Sequence, residues 1–206
     1  MFVYGKSEKG SLHENEDAIL IDLNKKIFGV ADGVTLSDYG SGKKAAELIL
    51  SLIQKNLKSD LKEIFEKSLN EFRELKVKNR EIGETTLAIC RIGEEIECLN
   101  VGDSDIFLIR NGKIFRISEK DRFGRYLTQA IGLYEVKPHY KRLKVKKGDK
   151  LLLVTDGISD VLNKNEILEI TLKSENVEEM VEKILEETKK KPKIYDDDKS
   201  IVAIWL

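Results

Sequence analysis

Apolar positions change their period several times along the chain, and each change marks an element. Residues 1–6 read as a short strand, and the stretches at 18–22 and 26–31 predict a strand pair turning at Asn24-Lys25. From Gly42 to about Arg80 the pattern becomes helical: Ala45, Ile49, Leu52 and Ile53 recur at spacings of three and four, as do Leu61, Ile64, Phe65, Leu69 and Phe72. The two helices break near Lys58-Ser59-Asp60, where Ser59 or Asp60 can cap the second. Between Thr85 and Ser118 the period returns to two, giving four short strands punctuated at Gly93-Glu94, Gly102-Asp103 and Asn111-Gly112. Asn-Gly is the strongest short hairpin signal. Residues 142–145 alternate, and residues 151–155 form a continuous apolar run. Helices at roughly 165–173 and 177–190 follow, the second closing on Lys189-Lys190-Lys191-Pro192, and a last strand is predicted at 200–205.

Strands joined as hairpins imply antiparallel sheets, and paired amphipathic helices must cover apolar sheet faces. The expected fold is α+β: a four-layer α-β-β-α sandwich of two mainly antiparallel sheets flanked by helix pairs. With only two prolines and no repeat or low-complexity break, residues 1–206 read as a single domain.

Composition narrows the function. Hydrophobic residues make up 41% and charged residues 35%, and no apolar run is long enough for a membrane span. The N-terminus shows no secretory signal, so the expected location is the cytoplasm. A net charge of −1 argues against nucleic acid or an acidic membrane as partner. Cys90 and Cys98 make no zinc spacing and no disulfide framework; they read as two buried thiols that face each other across a hairpin. The basic stretch from Lys137 to Lys150 reads as the solvated face of a strand, and His139 as a surface or loop histidine.

The candidate chemistry lies in a feature that repeats. Apolar runs end in an acid beside Gly or Ser at Ala31-Asp32-Gly33, Val101-Gly102-Asp103-Ser104 and Thr155-Asp156-Gly157. Asn15-Glu16-Asp17 and Asp196-Asp197-Asp198 add two acidic groups beside strands. A single Asp-Gly is usually a turn, because Asp bonds its own backbone and Gly accepts positive φ. Five such groups brought to one sandwich edge would repel, and would either take up protons or need a cation. Oxygen donors without His or Cys favour Mg²⁺, Mn²⁺ or Ca²⁺, and paired hard ions suit phosphoryl hydrolysis. Gly40-Ser41-Gly42-Lys43-Lys44 does not fit a Walker loop, and neither cysteine has an Arg six residues on, which removes phosphocysteine chemistry.

These elements resemble the protein phosphatase 2C family. Asn15-Glu16-Asp17-Ala18, Val30-Ala31-Asp32-Gly33, Gly83-Glu84-Thr85-Thr86, Gly102-Asp103-Ser104, Leu127-Thr128-Gln129-Ala130-Ile131-Gly132, Asp156-Gly157-Ile158-Ser159-Asp160 and Asp197-Asp198-Lys199-Ser200 follow its motifs in order. The resemblance implies a metal-dependent phosphatase acting on phosphoserine and phosphothreonine in proteins; a monomer is the expected state. Asp32 would bridge two Mn²⁺ or Mg²⁺ ions, with the Gly33 carbonyl on one of them. Asp156 and Asp197 would bind the other, and Glu16 and Asp17 would act through waters. Asp103 and Asp160, with Asp156, match a third, weaker ion position. A water between the first two ions would be the nucleophile, with no phosphoenzyme. Asp32, Asp156 and Asp197 are the expected catalytic set.

Three positions depart from the family pattern. Leu12 stands where many members carry a phosphate-binding Arg, Val34 where animal members carry a His, and residues 118–126 form a much shortened flap. Leu12 motivates an alternative reading as a phosphoprotein-binding relative of low turnover. A metal-dependent phosphodiesterase is the other alternative, disfavoured by the near-neutral charge.

Overall fold

The computed structural model describes residues 1–11, 13–35, 40–56, 60–191 and 196–206. Two five-stranded antiparallel sheets form its centre. The first contains β1 (Phe2–Glu8), β6 (Asp105–Arg110), β7 (Lys113–Arg116), β11 (Lys150–Val154) and β12 (Lys199–Trp205), in the order β1-β12-β11-β6-β7. The second contains β2 (Ala18–Asp22), β3 (Ile27–Ala31), β4 (Leu87–Ile92), β5 (Glu95–Val101) and β10 (His139–Lys144), in the order β10-β5-β4-β3-β2.

Strand alternation explains the layers. In β11, Leu151 and Leu153 join Phe28, Ala88 and Val202 between the sheets, whereas Leu152 and Val154 face a separate helix-covered core with Met180 and Ile184. A strand buried on both faces must be apolar at every position, which is why this run shows no period of two. On the other side, α1 (Gly42–Lys55) and α2 (Leu61–Lys78) set Ile49, Ile53, Phe65 and Phe72 against Ile27, Ile89 and Leu99 of the second sheet. The first sheet is covered by α4 (Lys164–Lys173) and α5 (Val177–Lys190). The layers are therefore the expected four.

Local details follow the sequence with a few shifts. Asp60 caps α2 by accepting from the Glu63 amide at 2.9 Å, while Ser59 and Pro192 lie outside the described residues. Cys90 pairs with Cys98 across β4–β5, as two buried free thiols with Sγ atoms 3.1 Å apart. Strand β10 starts three residues earlier than the alternation at 142–145 indicates. His139 is thus a half-buried strand residue bonded to Asp121 at 2.7 Å, which corrects its reading as a surface or loop histidine. The basic stretch is partly neutralised as well: Arg142 meets Asp60 and Glu97, each at 3.2 Å. Two elements escaped the sequence reading, a two-residue hairpin of β8 (Arg122–Phe123) and β9 (Tyr126–Leu127) and the single-turn helix α3 (Asp156–Ser159). Among the described residues, no helix is long and apolar enough to cross a membrane.

Candidate metal centre

The acids that end the strands meet at one edge of the sandwich. Asp32 follows β3, Asp103 lies between β5 and β6, Asp156 follows β11 and Asp197 precedes β12; together with Gly33 they line a cleft of about 160 Å³. A larger concavity of about 960 Å³ lies between the end of α2 and residues 132–137, but it contains a single acid, Glu135, and none of this chemistry.

Glycine makes the convergence possible, though not through positive φ. A Cβ on Gly157 would sit 1.9 Å from the Asp198 carbonyl oxygen, and one on Gly33 would sit 2.3 Å from the Gly42 carbonyl carbon. Neither glycine has positive φ. The Asp-Gly pairs therefore exist for close backbone approach rather than for turn geometry.

Each acid is held by its neighbours. The Asp32 amide donates to Thr86 Oγ1 at 3.0 Å, and its carbonyl accepts from the Thr86 amide and the Thr85 hydroxyl, both at 2.8 Å. Thr155 Oγ1 donates to Asp17 Oδ2 at 2.9 Å and accepts from the Ser200 amide at 2.9 Å. Glu16 stands at the rim, where its carboxylate accepts from the Thr35 hydroxyl at 2.7 Å and its carbonyl from the Gly33 amide at 3.2 Å. Asp198, which the sequence reading left without a role, accepts from the Gly10 amide at 2.7 Å and the Glu16 amide at 2.8 Å. It ties the Asn-Glu-Asp segment to the start of β12.

The electrostatics divide the acids into two groups. Desolvation pushes Asp17 up to about 7, its Oδ1 being buried without a hydrogen-bond partner. Desolvation, and then the charges of Asp17 and Asp156, hold Asp32 well above the usual carboxylate range. Desolvation with the charges of Asp103 and Asp197 brings Asp156 to about 7, and Asp197 is raised chiefly by desolvation too. Asp160 differs. Burial raises it, but the Arg122 guanidinium and the Lys120 ammonium outweigh burial and hold it below the usual range. Arg122 reaches Asp160 with Nη1 at 2.5 Å and Nη2 at 2.9 Å, and Nη1 stands 3.3 Å from Asp103 Oδ2. Lys120 lies 3.0 Å from Asp160 and 3.3 Å from Asp105.

His13 also approaches the site, with Nδ1 3.7 Å from Asp198 and Nε2 3.2 Å from Thr35 Oγ1. Leu12, which precedes it, lies outside the described residues. Among the described residues, no three His, Cys, Asp or Glu side chains stand in a ligating arrangement. The donor set fits hard cations nonetheless: carboxylate oxygens line the cleft without His or Cys, several are pushed toward protonation, and one buried oxygen lacks a partner.

The family model for protein phosphatase 2C matches residues 4–194. The chain belongs to the protein phosphatase 2C family. Among curated relatives, the serine/threonine protein phosphatase PstP of Mycobacterium tuberculosis is 27% identical over 125 residues, covering 51% of this chain and 24% of the relative. The probable protein phosphatase 2C 62 of Arabidopsis thaliana is 27% identical over 173 residues, covering 78% and 23%. The chain thus spans about a quarter of these relatives' length. Among solved structures, PppA, a regulatory component of T6SS in Pseudomonas aeruginosa, superposes with a TM-score of 0.86 at 20% identity, covering 100% of this chain and 97% of that one. The catalytic domain of PstP in complex with two manganese ions gives 0.85 at 22% identity, covering 100% and 98%. These likenesses agree on the phosphatase 2C fold with its two sheets and flanking helices.

Proposed function

We propose that residues 1–206 form one catalytic domain, a metal-dependent protein serine/threonine phosphatase that works as a monomer in the cytoplasm on phosphorylated proteins. The observation that carries this reading is the cleft in which Asp32, Asp156 and Asp197 converge beside Asp17 with every one of them shifted toward protonation. Acids in that state are prepared for divalent cations, because a cation relieves the repulsion that burial magnifies.

Asp32, the Gly33 carbonyl, Asp156 and Asp197 would hold two Mn²⁺ or Mg²⁺ ions, with Glu16 and Asp17 behind them. When bound, such ions activate a water and neutralise charge on the phosphoryl oxygens, so that hydrolysis needs no phosphoenzyme. The chain's own residues fix the frame. Thr85 and Thr86 hold the backbone of Asp32, and Thr155 orients Asp17. Arg125 lines the same cleft and is exposed, which makes it, among the described residues, a cation able to grip a phosphate in place of the Arg that Leu12 replaces.

Hydrolysis of p-nitrophenyl phosphate and a phosphothreonine peptide, with Mn²⁺, Mg²⁺ or EDTA, tests this for wild type and Asp156→Asn. Metal-dependent turnover that Asp156→Asn largely abolishes is the expected result. A folded protein without turnover under any metal would instead support the phosphoprotein-binding relative that Leu12 suggests.

A further inference from the structure

The seven acids named by the sequence do not share one kind of surrounding, and the exception is informative. Asp103 and Asp160 match a third ion position, yet cationic side chains of the chain itself already stand there. Arg122 engages both oxygens of Asp160 at 2.5 and 2.9 Å and approaches Asp103 at 3.3 Å, and Lys120 adds a contact to Asp160 at 3.0 Å. A guanidinium keeps its proton across the accessible pH range, and its fork matches a carboxylate at two points. A divalent ion could reach Asp160 only by displacing a two-point, charge-assisted contact.

Arg122 also opens a short hairpin that is held at its base, where Asp121 meets Gly102, Gln129 and His139, and stands in solvent at its tip. Strands β8 and β9 have two residues each and pair only with one another. Phe123 and Tyr126 at the tip are 82% and 80% exposed, so the hairpin has no apolar core of its own. The contact from Arg122 to Asp160, at the end of α3, therefore ties this hairpin to the rim of the carboxylate cleft.

We propose that Arg122 is a built-in third cation: it takes the Asp103–Asp160 position in place of a metal ion and pins the short hairpin over the cleft. The part concerning ions rests on the phosphatase reading above; the clamp does not. Arg122 is in this account a positioning residue.

The test combines Mn²⁺ titration calorimetry with amide exchange of residues 122–127 in EDTA, on wild type, Arg122→Gln and Arg122→Lys. Wild type is expected to bind about two ions and Arg122→Gln about three, the added site being the weakest. Exchange across the hairpin should quicken roughly tenfold in Arg122→Gln. Arg122→Lys keeps the charge without the fork, so it should exclude the extra ion while loosening the hairpin part-way. Wild type taking up a third ion with Arg122 in place would overturn the proposal, as would an Arg122→Gln protein matching wild type in ion count and exchange. If neither protein binds Mn²⁺, the phosphatase reading falls, and the exchange experiment still decides the clamp.

Discussion

Strand β11 carries an aspartate at each end, and the two are in opposite electrostatic states. Asp149, just before it, is buried at 1% exposure and fully answered: Arg110 donates to it from Nε at 2.7 Å and Nη2 at 2.6 Å, and the Lys146 amide adds a bond at 2.9 Å. Burial alone would raise Asp149, but these partners hold it below the usual carboxylate range. Asp156, just after the strand, has acids for neighbours and is pushed to about 7. One residue type on one strand thus serves as a structural joint at one end and as an unsettled charge at the other. The difference lies wholly in what faces each carboxylate, and an acid without a cation partner at a convergence of strand ends marks the place where an external cation belongs.

The largest expected effect tests that contrast at its centre. Asp32→Asn should cut metal-dependent turnover by roughly 10²–10⁴-fold, since several kcal/mol of charge stabilisation depend on the ions it would help to hold. The same change should raise the melting temperature of the metal-free protein, because it removes a charge that the fold resists. Asp149→Asn should do the reverse, lowering stability by about 3 kcal/mol while leaving Mn²⁺ affinity intact. Calorimetric melting and Mn²⁺ titration of the two variants decide it. Metal-free Asp32→Asn melting below wild type would mean that the cleft acids are structural after all.

pH gives the next effect, and its sign differs between the two ends. A carboxyl raised in the folded state binds protons that the unfolded chain releases, so its contribution to stability is present below the ordinary value and lost as pH rises through the folded one. For Asp17 and Asp156 that window runs from 3.8 to about 7. A single shift of that size corresponds at most to about 4 kcal/mol, at about 1.4 kcal/mol per pH unit, and coupling between the acids reduces it. Asp149 acts oppositely, stabilising above the ordinary value and losing that as pH falls through its lowered one. The metal-free protein should therefore melt lower at pH 8 than at pH 6, and Mn²⁺ should close most of the gap. A melting temperature that stays level across this range without metal would remove the basis for the cleft's ion affinity.

The contrast also shows what a sequence can display. Asp32, Asp103 and Asp156 were legible because each ends an apolar run, and a run is a local pattern; Asp160 was named only through the family resemblance. The helices were legible from period, and the facing thiols of Cys90 and Cys98 from the spacing of their hairpin. The answering cations were not. Arg122 and Asp160 are 38 residues apart, and nothing local distinguishes Arg122 from any other surface arginine. Asp198 stayed hidden because its partners are backbone amides of Gly10 and Glu16, brought near only by the pairing of β1 with β12. The two-residue strands of β8–β9 are too short to carry a period, and the single turn of α3 is too short to show a helical one. The reason for Gly33 and Gly157 is a steric contact with a distant backbone, and a turn-based reading gave the right residues an incomplete cause.

The Arg125 side chain supplies a smaller effect within the cleft. Arg125→Ala should raise KM about tenfold with a lesser change in kcat, as expected for a cation that binds phosphate in ground and transition states alike. An equal fall in kcat with KM unchanged would place its action in the transition state instead.

The smallest expected effect separates the two cations of the Asp160 corner. Lys120 reaches Asp160 at 3.0 Å and Asp105 at 3.3 Å, but neither acid depends on it alone. Asp105 also has Arg116 at 3.0 Å and the Ser118 hydroxyl at 2.8 Å, and Asp160 keeps both bonds from Arg122. Lys120→Met preserves the stem that packs there and removes only the ammonium, so it should cost about 1 kcal/mol or less in urea unfolding. Hairpin exchange should stay near that of wild type, in contrast to Arg122→Gln. If Lys120→Met loosens the hairpin as much as Arg122→Gln does, the corner is held by pooled positive charge rather than by the guanidinium fork, and the geometric part of the clamp fails.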